Sequence, residues 1–219
     1  CIEMKSDHEG FWYPVIDENN CINCNLCIDV CPEINYFDKE KSKIKPTLYA
    51  GWIKNDNIRN ASSSGGLFYP LANYIIKNTG VVFGAAFNKQ MQVVHKKADN
   101  ERKLRLLMGS KYVQSKINNT FSLAKNYLDI GRLVLFSGTP CQIAGLHTFL
   151  QREYKNLYTC DFICHGVASP LVFNKYLSYM EKKFDSHIVN LSFRDKSLGW
   201  KKFSVCITFN NGTSYRGAL

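Results

Sequence analysis

Hydrophobic and polar positions alternate along most of the chain in a way that separates strands from helices. Val81 to Phe87, Met91 to Lys97, Leu133 to Phe136, Leu157 to Ile163, Ile188 to Phe193 and Phe203 to Phe209 carry strand-like patterns, and Leu48 to Ile53 reads as a further strand. Between them the apolar spacing becomes helical. Leu67, Phe68, Leu71, Ala72, Ile75 and Ile76 form one stripe, opened by Ser62 to Ser64 as a cap and stopped at Gly80. Asn100 opens a short basic helix, and Phe121, Ala124 and Leu128 mark another that ends at Gly131. Thr139 and Pro140 have the residue types of an N-cap and a first helical position. Phe173, Leu177, Met180 and Phe184 follow core spacing after Pro170, and Asn210-Asn211-Gly212 is a hairpin turn. Strands alternating with helices predict an α/β architecture.

The first 45 residues do not fit that rhythm. GFWYPVID reads as a hairpin arm or a cover, and Cys21 to Pro32, CINCNLCIDVCP, follows it with cysteines at C-x2-C-x2-C-x3-C before a proline. This is the bacterial ferredoxin spacing for a 4Fe-4S cluster. Short gaps wrap soft thiolates round one cubane, so Cys21, Cys24 and Cys27 are candidate ligands of one cluster, and Cys31 points to another. Zinc sites pair two knuckles across a longer loop, and disulfide scaffolds suit short secreted chains, so both fit less well. The charged run Asp38 to Pro46 predicts the boundary between a module over residues 1–45 and an α/β domain over 46–219. Asn25 stands where such runs often carry glycine, which predicts local backbone strain.

Composition narrows the classes. The chain has 219 residues, 45% of them hydrophobic, which is enough for an ordinary folded core. It starts at Cys1 and stops after the strand-like YRGAL, so it reads as a piece of a longer chain. No apolar run approaches the ~20 residues that span a bilayer, and nothing at the start resembles a signal peptide, so a cytoplasmic location is expected. Nine cysteines, four of them in one metal-type run, suit a reducing compartment. A net charge of +10 raises nucleic acid as a partner, yet the lysines are scattered and no nucleic-acid module surrounds them. Bound clusters and phosphates would offset part of that charge.

Several segments could carry chemistry. Ser62-Ser63-Ser64-Gly65-Gly66 could accept a phosphate at a helix start, although it matches neither a P-loop nor a dinucleotide fingerprint, and an ordinary capped helix is the competing reading. Gly109-Ser110-Lys111-Tyr112-Val113-Gln114-Ser115 offers a cation, an aromatic face and hydroxyls in one loop, or else a plain exposed connector. Cys141 falls in the first turn of the helix after Thr139 and Pro140, where a thiolate is favoured; it reads as a ligand or reactive thiol, with a small buried residue as an equal competing reading. Cys164 and His165 follow the next strand. His165 could line a pocket or be a satisfied structural histidine, and none of the histidines has a companion that singles it out. Cys160 and Cys206 lie within strands and read as core.

Taken in order after the cysteine run, SSSGGLF, MGSKYVQS, SGTPCQIAGL and CHGVASP resemble the coenzyme F420 hydrogenase/dehydrogenase beta-subunit family. The resemblance implies a mixed-sheet, flavin-binding α/β domain behind a small ferredoxin-like 4Fe-4S module. It implies FAD contacts from Ser64, Gly65 and Gly66 with Ser110, Lys111 and Tyr112, within a candidate set that also takes in Ser63, Gly109, Gln114, Ser115, Thr139, Pro140 and His165. It implies that Cys141 and Cys164 supply half the ligands of a further 4Fe-4S cluster. The function so implied is an oxidoreductase passing electrons between clusters, FAD and a two-electron acceptor such as the deazaflavin coenzyme F420, with a ferredoxin or other redox protein as partner. The rivals are a non-catalytic electron-transfer subunit and, remotely, a nucleic-acid-binding protein with a structural cluster.

Overall fold

The structure is a computed structural model that describes residues 1–31, 34 and 45–218. Pro32 and residues 38–44 of the charged connector lie outside the described residues, so the expected boundary there is not drawn.

An antiparallel hairpin of β1 (Ile2–Ser6) and β2 (Trp12–Ile16) opens the chain, with Ser6 facing Trp12 and Ile2 facing Ile16. A single 3-10 turn over Glu18–Asn20 leads to Cys21, and the short helix α1 (Leu26–Asp29) follows. The hairpin is not a detached arm. Gly10, at φ +89, lies so close to Leu171 that a Cβ there would overlap the Leu171 Cβ. The Trp12 amide donates to Gln114 Oε1 at 3.3 Å, and Lys116 Nζ sits 4.5 Å from the centre of a Trp12 ring.

The sheet expected from the pattern is present and mixed. α2 (Asp56–Asn60) and α3 (Phe68–Lys77) precede β3 (Val81–Phe87), which pairs antiparallel with β4 (Val93–Ala98) and parallel with β5 (Val134–Ser137). β6 (Leu157–Cys160) extends the parallel side, giving the order β4-β3-β5-β6. Strands buried on both faces carry near-continuous apolar runs, as in Val81-Val82-Phe83. Val82, Ala86 and Leu135 face α2, α3 and α4 (Glu101–Leu107) through Ile58, Ala72, Ile75, Leu104 and Leu107. On the opposite side Val81, Phe83, Val134 and Phe136 meet α5 (Thr120–Asp129) and α6 (Pro140–Leu150) through Ala124, Leu128, Ile143, Leu146 and Leu150. Helices thus cover both faces.

A third sheet completes the fold. β7 (Ile188–Asp195), β8 (Ser204–Phe209) and β9 (Ser214–Ala218) are antiparallel, and their apolar side packs on α7 (Pro170–Phe184) through Phe173, Leu177, Met180, Leu191, Ile207 and Phe209. Among the described residues no helix is long and apolar enough to cross a membrane.

Three local expectations need correction. Leu48 to Ile53 is not a strand: Leu48 and Tyr49 are each 89% exposed, and only Ile53 is tied down, by its amide donating to Gly65 O at 2.8 Å. No neighbouring strand among the described residues offers that stretch a ladder, and apolar residues without a ladder do not make one. Ser62 to Ser64 do not cap the next helix, which starts at Phe68 after Leu67; Ser62 Oγ instead closes the preceding turn on Ile58 O at 2.7 Å. The strand at Leu157 stops at Cys160, short of Ile163.

Candidate functional site

In sheets with parallel strands, ligands gather beyond the carboxyl ends. β5 ends at Ser137 and β6 at Cys160, so SGTPCQ and the Cys164-His165-Gly166 segment leave the same end of the sheet. Thr139 takes an extended N-cap conformation, Pro140 follows at the first helical position, and Thr139 and Gln142 form a reciprocal capping box. The Thr139 amide donates to Gln142 Oε1 at 3.0 Å. That cap holds Cys141 in the first turn of α6 with its thiol exposed and 3.0 Å from Thr139 Oγ1.

Behind the cap lies a residue that the sequence does not single out. His95 on β4 is only 4% exposed, stacks on Phe136 at 5.4 Å, and bonds at both ring nitrogens. Nε2 lies 3.0 Å from Ser137 O, and Nδ1 lies 3.1 Å from Ser115 Oγ. A carbonyl only accepts, so Nε2 carries the hydrogen and Nδ1 accepts from the Ser115 hydroxyl. Gln142 Nε2 in turn donates to Ser115 Oγ at 2.9 Å. Burial pulls the imidazole down to about 4 from an ordinary 6.5, which keeps it neutral and suits this pattern.

The loop over residues 109–116 is the hub that joins the other candidates. Ser110 Oγ meets Ser63 Oγ at 2.6 Å, linking it to the serine-glycine segment. Tyr112 O accepts from the Ala168 amide at 3.2 Å, the Gln114 amide donates to Ala168 O at 3.4 Å, and Val113 bridges Ala168. These contacts draw in the segment that follows Cys164. Ser115 joins Gln142, and Lys116 exchanges backbone bonds with Val93 and His95 along the free edge of β4. Four stretches far apart in the chain therefore meet on one loop.

The remaining candidates are placed as follows. Lys111 turns its ammonium into its own loop, donating to Leu106 O, Met108 O and Gly109 O at 3.2, 2.7 and 3.3 Å. Burial draws its pKa down to about 7 from 10.5, against the three carbonyls, which favour the charged form. Gly109, at φ +80, has open space where a Cβ would lie. Tyr112 is 45% exposed, and its ring meets Phe193 edge-on at 5.4 Å. Gly65 and Gly66 serve internal packing: a Cβ on Gly65 would come 2.7 Å from Gly51 O, and one on Gly66 would come 2.8 Å from Ile53 Cγ2. Ser64, Cys164 and His165 are exposed, with Cys164 Sγ accepting from the Gly166 amide at 3.4 Å. Cys160 and Cys206 are partly buried, and burial pushes both thiols up, as befits packing groups rather than thiolate donors.

In the cysteine run the backbone bends as close-set ligands require. Asn23 and Asn25 both adopt left-handed φ, 52° and 58°, a region that asparagine tolerates better than most residues. Asn25 is the N-cap of α1, which carries Cys27, so the strain expected at that position is present. Cys24 and Cys27 are exposed, Cys21 and Cys31 partly so, and none of the described cysteines is in a disulfide. Among the described residues no group of three or more His, Cys, Asp or Glu side chains is gathered as a metal set. The fit to an iron-sulfur cluster therefore rests on the donor chemistry of four unoxidised thiols and on a backbone turned twice between them.

Two features carry little signal in the sequence. His95 lies in a VVHKK stretch that looks like ordinary strand text, and its partners are distant in the chain. Lys196 and Trp200 form the other: the Lys196 ammonium reaches Ser62 O and stands 3.7 Å from the centre of the Trp200 ring. A cation and a tryptophan in RDKSLGW were the available signal.

Comparison with known proteins agrees with this anatomy. Residues 12–33 match the model of a 4Fe-4S binding domain, and residues 131–215 match the model of the C terminus of the coenzyme F420 hydrogenase/dehydrogenase beta subunit. The fold is similar to a chain in the xenon-derivatized F420-reducing NiFe hydrogenase complex from Methanosarcina barkeri, with 14% identity and a TM-score of 0.50. That match covers 76% of this chain and 58% of the neighbour, so this chain spans less than two thirds of the other's length. No curated protein matches it. The strand-end cap around Cys141 and strands β6 to β8 fall within the beta-subunit match, and the cysteine run falls within the 4Fe-4S match; over residues 131–215 the chain is similar to the C terminus of the coenzyme F420 hydrogenase/dehydrogenase beta subunit.

Proposed function

We propose that this chain is the iron-sulfur, FAD-dependent subunit of an oxidoreductase that passes electrons between a one-electron donor, such as a ferredoxin or a partner subunit, and a two-electron acceptor of the deazaflavin type, coenzyme F420 being the candidate. The observation that carries this reading is the convergence of Ser63, the 109–116 loop, Gln142 and Ala168 beyond the strand ends, with the hairpin that leads to the cysteine run docked on the same loop through Trp12 and Gln114. When bound, 4Fe-4S clusters supply one-electron transfer and FAD exchanges one or two electrons.

The chain's own residues have separate tasks. Cys21, Cys24, Cys27 and Cys31 hold iron at the amino end as thiolates. Cys141 and Cys164, both exposed at one end of the sheet, are the donors for a further cluster. The capping box and the His95–Ser115–Gln142 chain position the Cys141 turn. Ser63, Ser64, Ser110 and Tyr112 line the flavin side, where hydroxyls and an aromatic face can orient a planar ring system. No protein general base is needed, and the neutral His95, bonded at both nitrogens, is not placed to act as one.

The test is anaerobic purification followed by iron, sulfide and flavin counting. Iron and sulfide in cluster proportion with bound FAD is the expected result. Zinc, or neither iron nor flavin, would refute the reading, and iron without flavin would leave a non-catalytic electron-transfer protein. Cys24→Ser should lower the iron content by about four atoms, one cluster; unchanged iron would remove Cys24 from the ligand set.

A further inference from the structure

The loop between β7 and β8 lies beside the serine-glycine segment, and its charges are not balanced. A cleft of about 490 Å3 is lined by Asn60, Asp195, Lys196, Ser197, Gly199 and Trp200. Two turns shape it: the Gly199 amide donates to Lys196 O at 2.9 Å and the Lys202 amide to Gly199 O at 3.1 Å, with Gly199 at φ +111. The one carboxylate in the lining is already engaged. Asp195 accepts from the Ser197 amide and hydroxyl and stands 3.6 Å from Arg216.

Among the described residues Lys196 has no such partner. Its ammonium is held by a backbone carbonyl, Ser62 O, and by the face of Trp200, both neutral. Burial and the nearby Arg194 guanidinium lower its pKa, so two cations share this corner. Arg194 packs over Phe203 at 4.2 Å, and its Nε is buried with no hydrogen-bond partner among the described residues. Arg194 does not line the cleft, but Lys196 does, and a cation held only by neutral groups calls for an anion from outside the chain. Trp200, 47% exposed and capped by Lys196, offers the same visitor an aromatic surface. Lys111, the cation among the FAD contacts that the resemblance implied, is taken up by three carbonyls of its own loop.

We infer that Lys196 and Trp200 form the subsite for the phosphate-bearing, adenine-containing half of a dinucleotide, with Lys196 meeting phosphate and Trp200 the base. This rests on the proposed flavin reading and deepens it: FAD would be recognised at its nucleotide end by the β7–β8 loop and Ser62, and not by Lys111.

The experiment is a fluorescence titration of FAD and of riboflavin into the anaerobically purified full chain, stripped of flavin, with Lys196→Gln, Trp200→Leu and Lys111→Met beside the parent. Glutamine can still donate to Ser62 O, so Lys196→Gln removes the charge while keeping the tether. FAD should bind it about tenfold or more weakly, riboflavin should bind it as it binds the parent, and its iron content should be unchanged. Added salt should weaken FAD binding to the parent far more than to Lys196→Gln. Trp200→Leu should also lose FAD affinity, and Lys111→Met should lose less than Lys196→Gln. If the parent binds FAD and Lys196→Gln binds it equally well, or if riboflavin loses as much as FAD, the subsite is wrong and the flavin reading stands. If the parent binds no flavin, the flavin reading fails and takes the subsite with it.

Discussion

His95 makes a sharp test of the strand-end network, because one substitution separates its titration from its hydrogen bonds. The imidazole is 4% exposed, held neutral, and depressed from 6.5 to about 4. In the unfolded chain it protonates at its ordinary pKa, so between pH 6.5 and 4 the unfolded state binds more protons than the folded one, and stability falls as the pH falls. Integrating that difference from pH 7.5 to pH 5 gives a loss of about 2 kcal/mol from this one group. Asp129, whose carboxyl is lowered to about 2 by Lys125, Tyr154 and Arg152, acts in the same direction but below this window. His95→Gln keeps a donor for Ser137 O and an acceptor for Ser115, and does not titrate. Urea unfolding of parent and variant across pH 5 to 7.5, followed by circular dichroism, should show the parent losing about 2 kcal/mol more than the variant on acidification. Equal losses would mean that His95 is not buried neutral, and the tautomer and network assigned to it would fall together.

Two further outcomes probe how the site is supported. Thr139→Ala removes the threonine half of the capping box and should cost about 1 kcal/mol of stability by thermal or urea unfolding; if Cys141 is a ligand positioned by that turn, iron content should fall as well, whereas stability lost with iron retained would separate the cap from the metal. Gly10→Ala places a Cβ against Leu171 and forces a residue with a side chain to φ +89, so the hairpin should release from α7. Limited proteolysis should then cut near residues 6–12 in the variant first, and equal protection would show that Gly10 is not the docking point.

Periodicity anticipated the α/β character of the larger region because burial on both faces leaves continuous apolar runs such as Val81-Val82-Phe83, and helices on each side impose their own spacing. The cap at Thr139 and Pro140 was legible for a local reason: its residues contact each other within one turn. So was the strain at Asn25, which stands where such cysteine runs often carry glycine. Leu48 to Ile53 misled because a strand is defined by a partner, and hydrophobic residues alone do not supply one.

From the sequence alone came the thiol run at the amino end, the succession of helices and strands, and the family resemblance of four separated motifs. These follow from short-range constraints: ligand spacing, side-chain periodicity and turn stereochemistry. Tertiary structure decided which of the polar residues face one another. It set His95 against Ser115 and Ser137, Ser63 against Ser110, and Lys196 against Ser62 and Trp200, while turning Lys111 back onto its own carbonyls. The His95, Ser63–Ser110 and Lys196–Ser62 pairings span 20 to 134 residues, so they depend on how sheets and loops pack, and no local pattern of residues encodes them.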